Sequence, residues 1–188
     1  MKTDIIIIGA GPVGLFTVFE AGILGLNCIL IDNLDKPGGQ CAELYPDKPI
    51  YDIPGVPYQT AQEHVDALLQ QIKPFDYKIH LNQRVDQIKE HNNEWIVTTS
   101  QGMTFQSPNV FIAAGAGSFE PIKPNLDTDI AGLENKQIFY SIKDKMIFKD
   151  KKVLIFGGGD SALDWTIELQ KICSNVSLIH RRDAFRGA

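Results

Sequence analysis

A chain of 188 residues with 44% apolar and 22% charged side chains has ordinary globular composition, which excludes disordered and collagen-like polymers. The net charge of −5 argues against a general binder of nucleic acid or anionic membranes, because such binders need a basic face to displace counterions. An anionic ligand must therefore be met by local charge.

Residues 5–31 are broken by one formal charge, Glu20, and are long enough to resemble a membrane span or, with Lys2 ahead, a secretory signal. Asp4, the glycines and proline within the stretch and the lack of an Ala-x-Ala cleavage site oppose both, and predict a soluble cytoplasmic protein. Cys28, Cys41 and Cys173 are odd in number and far apart. They suit a reducing compartment and give neither a disulfide framework nor metal-ligand spacing.

Ile5 to Ile8 is a β-branched run, apolar on both faces like a central parallel strand covered on either side. It leads into Gly9-Ala10-Gly11-Pro12-Val13-Gly14, then a helix to about Gly25 and a second strand, Cys28 to Ile31, ending at Asp32. In such a βαβ unit Gly9 permits the tight turn, Gly11 lets backbone approach a pyrophosphate, and Gly14 lets the helix pack on the strand. Pro12 opens the helix, whose N-terminus offers free N–H groups to phosphates, and Asp32 can accept from ribose hydroxyls.

Residues 33–59 then form an excursion with no helix or strand period, containing PGGQCAELYP and IYDIPG. A helix is predicted over Thr60–Ile72, with Val65, Leu68, Leu69 and Ile72 on one face. Short alternating strands follow at Lys78–Leu81, Val85–Lys89, Trp95–Thr99 and Met103–Gln106, and a buried strand at Val110–Ala113.

The opening pattern returns at Val153. A short apolar strand to Phe156 runs into Gly157-Gly158-Gly159-Asp160-Ser161-Ala162, an apolar helical stripe follows at Ala162, Trp165, Leu169 and Ile172, and a closing strand spans Val176–Ile179. Aligned on Gly9 and Gly157, His180 takes the offset of Asp32, and Arg181, Arg182 and Arg186 follow it. Carboxylate at this offset suits a bare ribose, whereas guanidinium forks suit a 2′-phosphate. The first copy is read for the adenosine of FAD and the second, with Gly157, Gly159, Asp160 and Ser161 in its loop, for NADPH. A solvated turn is the alternative for the arginines, and their register against the repeat opposes it.

In combination, IIIIGAGPVG, PGGQCAELYP, IYDIPG, NVFIAAGAG, GGGDSALDW and HRRDAFR resemble ferredoxin–NADP reductase of the thioredoxin-reductase-like type, along the whole chain. The resemblance implies an α/β fold of two Rossmann-like three-layer dinucleotide-binding units, the first with an antiparallel β insertion and the second incomplete. It implies FAD contacts at Asp32, Gly39, Gln40, Tyr45, Val85 and Phe119, with Tyr45 stacked on the isoalloxazine and Val85 touching adenine through its backbone. Packing or turn roles are the alternatives for Gln40, Tyr45, Val85 and Phe119. Bacterial-type thioredoxin reductases carry Cys-x-x-Cys ahead of the second glycine motif, whereas residues 140–145 here read YSIKDK. The expected acceptor is therefore an external one-electron carrier, ferredoxin or flavodoxin, with no side chain acting as acid, base or nucleophile.

The lysines at 143, 145, 149, 151 and 152 suit steering of an acidic carrier, or simply a solvated loop, since Asp144 and Asp150 are interspersed. Residues 1–116 are expected to form the FAD-binding part, and 117–188 a connector and the start of an NADP-binding domain. The resembled family commonly forms homodimers and continues past this point. Two alternatives remain open: an inactive FAD- or nucleotide-binding fragment, and a thioredoxin-reductase-like flavoprotein with another acceptor.

Overall fold

Four consecutive isoleucines form β1 (Ile5–Ile8), and the two-residue period of a strand sends them to opposite faces. Pro12 opens α1 (Pro12–Ile23), where its fixed φ and missing N–H are tolerated, and β2 (Cys28–Ile31) follows fully buried. The excursion holds a five-residue helix, α2 (Gly39–Glu43), and an antiparallel pair, β3 (Pro49–Ile50) with β4 (Gln59–Thr60). These elements are too short to show a period in the sequence, which is why none was expected there.

α3 (Ala61–Ile72) begins with a reciprocal capping box. The Thr60 hydroxyl accepts from the Glu63 N–H, and the Glu63 carboxylate accepts from the Thr60 N–H. The strands after it are β5 (Tyr77–His80), β6 (Val85–His91), β7 (Glu94–Thr99), β8 (Thr104–Ser107) and β9 (Asn109–Ile112). A second βαβ follows: β10 (Lys152–Phe156), α4 (Asp160–Leu169) and β11 (Asn175–Ile179).

The computed structural model describes residues 1–117, 123–124, 130–142 and 144–185, and the chain divides into units Met1–Ser141 and Ile142–Ala188. In the first unit a parallel sheet runs β5-β2-β1-β9, and an antiparallel meander runs β6-β7-β8. Ile5, Ile7 and Leu30 pack with Leu15 and Val18 of α1 and Val65, Leu68 and Ile72 of α3. On the other face Ile6, Ile29 and Ile31 pack with Val97 and Phe105 of the meander. The result is three layers: helices, parallel sheet and antiparallel insertion.

β5, expected as a short alternating strand over Lys78–Leu81, pairs with β2 as the edge of the parallel sheet. One face of an edge strand stays half-open, so Tyr77 and Ile79 turn to the core while Lys78 is exposed, and the alternation mimics an antiparallel strand. In the second unit β10 and β11 pair in parallel, and Leu169 of α4 is fully buried. Ile172 falls beyond α4, in the turn that follows. Leu154 and Phe156 alternate outward from β10 and stand 61% and 74% exposed.

Candidate functional site

The two βαβ units share more than a motif. Ile5 pairs with Cys28 as Val153 pairs with Val176, and each of these residues lies 148 positions from its counterpart. The Gly9 N–H donates to the Ile31 carbonyl at 2.8 Å, and the Gly157 N–H donates to the Ile179 carbonyl at 3.0 Å. Likewise Leu15 donates to Gly11, and Leu163 to Gly159, as each helix starts.

In the first unit the glycine turn forms the floor of a cleft of about 570 Å³. Gly9 has φ +106°, and a Cβ there would stand 2.3 Å from the Ala113 carbonyl, so both backbone conformation and space require glycine. Gly14 lies outside the cleft lining and meets the Gly9 carbonyl where helix and strand touch; a Cβ on it would collide with that oxygen. Gly11 and Gly39 face each other across the floor, with space for no side chain on Gly39. No side chain caps the start of α1, which leaves helix N–H groups directed at the cleft mouth beside Pro12.

Asp32 secures this loop. One carboxylate oxygen accepts from the Ala10 N–H at 2.6 Å and the other from the Leu34 N–H at 2.8 Å, while the Ala10 carbonyl accepts from the Gly38 N–H. Each carboxylate oxygen keeps a further lone pair for a hydroxyl donor. The backbone of Asp32 is held in turn by the His80 carbonyl and the Gln83 N–H.

Gln40 and Tyr45 stand together in the lining, where the Tyr45 hydroxyl donates to the side-chain amide oxygen (Oε1) of Gln40 at 3.0 Å. Burial, then the neighbouring Cys41, raises the Tyr45 phenol above its ordinary value, which keeps it a neutral donor. Val85 lines the cleft at the start of β6, and Gly115, with φ +54°, lines the wall formed after β9.

Gln83 and Arg84 also line the cleft and were missed in the sequence. Gln83 is 7% exposed and accepts from the buried Thr99 hydroxyl at 2.7 Å, a contact 16 residues apart that no local pattern signals. Arg84 pairs with Asp86 at 2.9 Å, and its lone position in an arginine-poor stretch was the available clue.

In the second unit Gly159 caps α4 without a side-chain bond, and Asp160 and Ser161 form its first turn. At the position matching Ala10 stands Gly158, and the imidazole of His180 packs so closely on it that a Cβ there would lie 2.3 Å from the ring. In both units, then, the residue after the second strand reaches back to the middle of the glycine turn, as carboxylate in one and imidazole in the other. Phe185 stacks on His180, with ring centroids 5.4 Å apart. Arg181 and Arg182 are exposed beside it, while Arg186 and Phe119 lie outside the described residues.

The chain is 59% identical over its full length to a ferredoxin–NADP reductase of Pelagibacter ubique and 57% identical to ferredoxin–NADP reductase 1 of Christiangramia forsetii. It covers 55% and 53% of those proteins, and so spans about half the length of the curated relatives it matches. Among solved structures, thioredoxin reductase of Lactococcus lactis superposes with a TM-score of 0.75 over 100% of this chain and 59% of that one, at 22% identity, which shows the α/β fold. Residues 46–187 match the family described as pyridine nucleotide-disulphide oxidoreductase. With its doubled glycine turn and that match over most of its length, the chain belongs to the pyridine nucleotide-disulphide oxidoreductase family.

Proposed function

We propose that the chain carries the cofactor-binding half of an FAD-dependent oxidoreductase that takes hydride from NADPH and passes electrons to an external one-electron carrier, ferredoxin or flavodoxin. The names of the curated relatives support this reading. The observation that carries it is the pair of matched turns, met by Asp32 in one unit and by His180 in the other, where Arg181 and Arg182 follow next in sequence.

The first cleft fits FAD in chemistry. Helix N–H groups and a side-chain-free floor at Gly11 and Gly39 suit the pyrophosphate, Asp32 suits ribose hydroxyls, and Gln40 and Tyr45 suit the isoalloxazine. Bound there, FAD supplies two-electron acceptance and one-electron release. The protein binds, orients and excludes water, so no acid, base or nucleophile is assigned. Gly157, Gly159 and Ser161 are assigned to the NADPH phosphates. His180, Arg181, Arg182 and Arg186 are assigned to its adenosine end and 2′-phosphate.

Residues 1–116 are proposed as the FAD-binding portion and 117–188 as the connector and first part of the NADP-binding domain. No cysteine lies in residues 140–145, and none of the three thiols is activated: burial first raises Cys28, Cys41 and Cys173 alike, Cys28 to about 11. This supports direct electron exit from flavin without a dithiol relay. A cytoplasmic setting accords with these free thiols. Among the described residues no helix is long and apolar enough to cross a membrane.

A second reading, an FAD-binding unit that does not turn over, is favoured by the outward Leu154 and Phe156 of β10. The visible spectrum of the purified chain separates the two. Flavin absorbance bleached by NADPH, with electrons reaching ferredoxin and not thioredoxin, supports the enzyme. Flavin that NADPH leaves oxidised supports the second reading, and a colourless protein that takes up no added FAD removes both.

A further inference from the structure

We propose that Lys48 is a positioning residue for Tyr45, fixing the ring beside the flavin and placing a positive charge next to it; the inference rests on the reading of the cleft as the FAD site. Tyr45-Pro46-Asp47-Lys48 forms a β-turn closed by the Lys48 N–H donating to the Tyr45 carbonyl at 3.0 Å, with proline at the second position, where its fixed φ fits. The turn returns the lysine over the tyrosine, and its ammonium stands 5.7 Å from the ring centroid. Within that range a cation is attracted to the electron-rich face of the ring.

The turn is itself anchored. Its Lys48 and Pro46 carbonyls accept, at 2.9 Å each, from the Ala61 and Gln62 N–H groups, the first two of α3. Together with the Thr60 bond to Glu63, this satisfies the opening N–H groups of that helix and ties the turn to a buried element. Tyr45 is thus held by Gln40 at its hydroxyl, by the turn at its backbone and by Lys48 at its ring. Tyr45 lines the cleft and Lys48 does not, so the lysine acts on a bound group through the ring and by its field. A nearby positive charge stabilises the more electron-rich, reduced form of a flavin.

The test is FAD titration of the purified full chain, wild type against Lys48→Met, Lys48→Gln and Lys48→Arg, reading dissociation constant, flavin fluorescence and midpoint potential. Both neutral variants should raise the dissociation constant about two- to five-fold, the loss of one exposed cation–ring contact. They should also brighten the flavin and lower its potential, with Arg restoring all three. In a Tyr45→Leu background, Lys48→Met should no longer alter fluorescence. Neutral variants indistinguishable from wild type, or an undiminished fluorescence effect in the Leu background, overturn the role of Lys48 alone. A wild-type chain that takes up no FAD overturns the reading of the cleft, and this inference with it.

Discussion

Asp32 shows how one side chain serves structure before it serves a ligand. It accepts from two half-buried backbone N–H groups, so Asp32→Ala leaves both without their acceptor, at a total cost of about 1–3 kcal/mol. The cofactor-free chain should melt lower, and FAD affinity should fall further still; calorimetry and flavin titration measure the two effects separately. Replacing Arg181 and Arg182 with glutamine should weaken NADPH far more than NADH, because only NADPH carries the 2′-phosphate. Equal losses for the two nucleotides would falsify the assignment of the second turn. The place of Asp32 and His180 against their glycine turns was legible because each stands at the same offset from a glycine motif. The bonds from Asp32 to Ala10 and Leu34, and the imidazole lying on Gly158, were not legible, because an offset says nothing about where a side chain turns.

At the scale of elements, the capping box on α3 is local chemistry that sequence spacing can mark, and its removal is local too. Thr60→Ala should cost about 1 kcal/mol, read as a lower denaturant midpoint with an unchanged slope. The central strands were readable as short apolar runs buried on both faces, and the long helices because their apolar positions follow the 3.6-residue period. What escaped was pairing. β5 reads as one more short alternating strand because Tyr77 and Ile79 alternate with Lys78 and His80, and only its partner β2 reveals that it closes the parallel sheet. α2, β3 and β4 escaped for a different reason, their brevity: they are held by contacts to α3 and not by any rhythm of their own.

For the first unit taken as a whole, acid is the condition most directed at its core. Burial, then the Lys78 ammonium and the chain's amino terminus, hold the His80 imidazole below its ordinary value. Its Nε2 finds no hydrogen-bond partner among the described residues, and its ring sits edge-on to the buried Phe105. The folded chain therefore prefers neutral His80, and the unfolded chain binds the proton more readily. Its contribution is fully present above the ordinary imidazole value near pH 6.5 and is lost as pH falls through the lower folded value. Melting temperatures at pH 7.5 and 5.5 should accordingly diverge more for wild type than for His80→Phe.

In the two βαβ units strand pairing and the first turn of hydrogen bonds coincide, so one main-chain plan serves two units of very different sequence. The side chains that meet in the turn differ, Ala10 with Asp32 in one unit and Gly158 with His180 in the other. Glycine at 158 is permissive, for any bulkier residue there would bar the imidazole. Positions 158 and 180 are therefore coupled: a side chain at the one and histidine at the other exclude each other, so they can be exchanged only together.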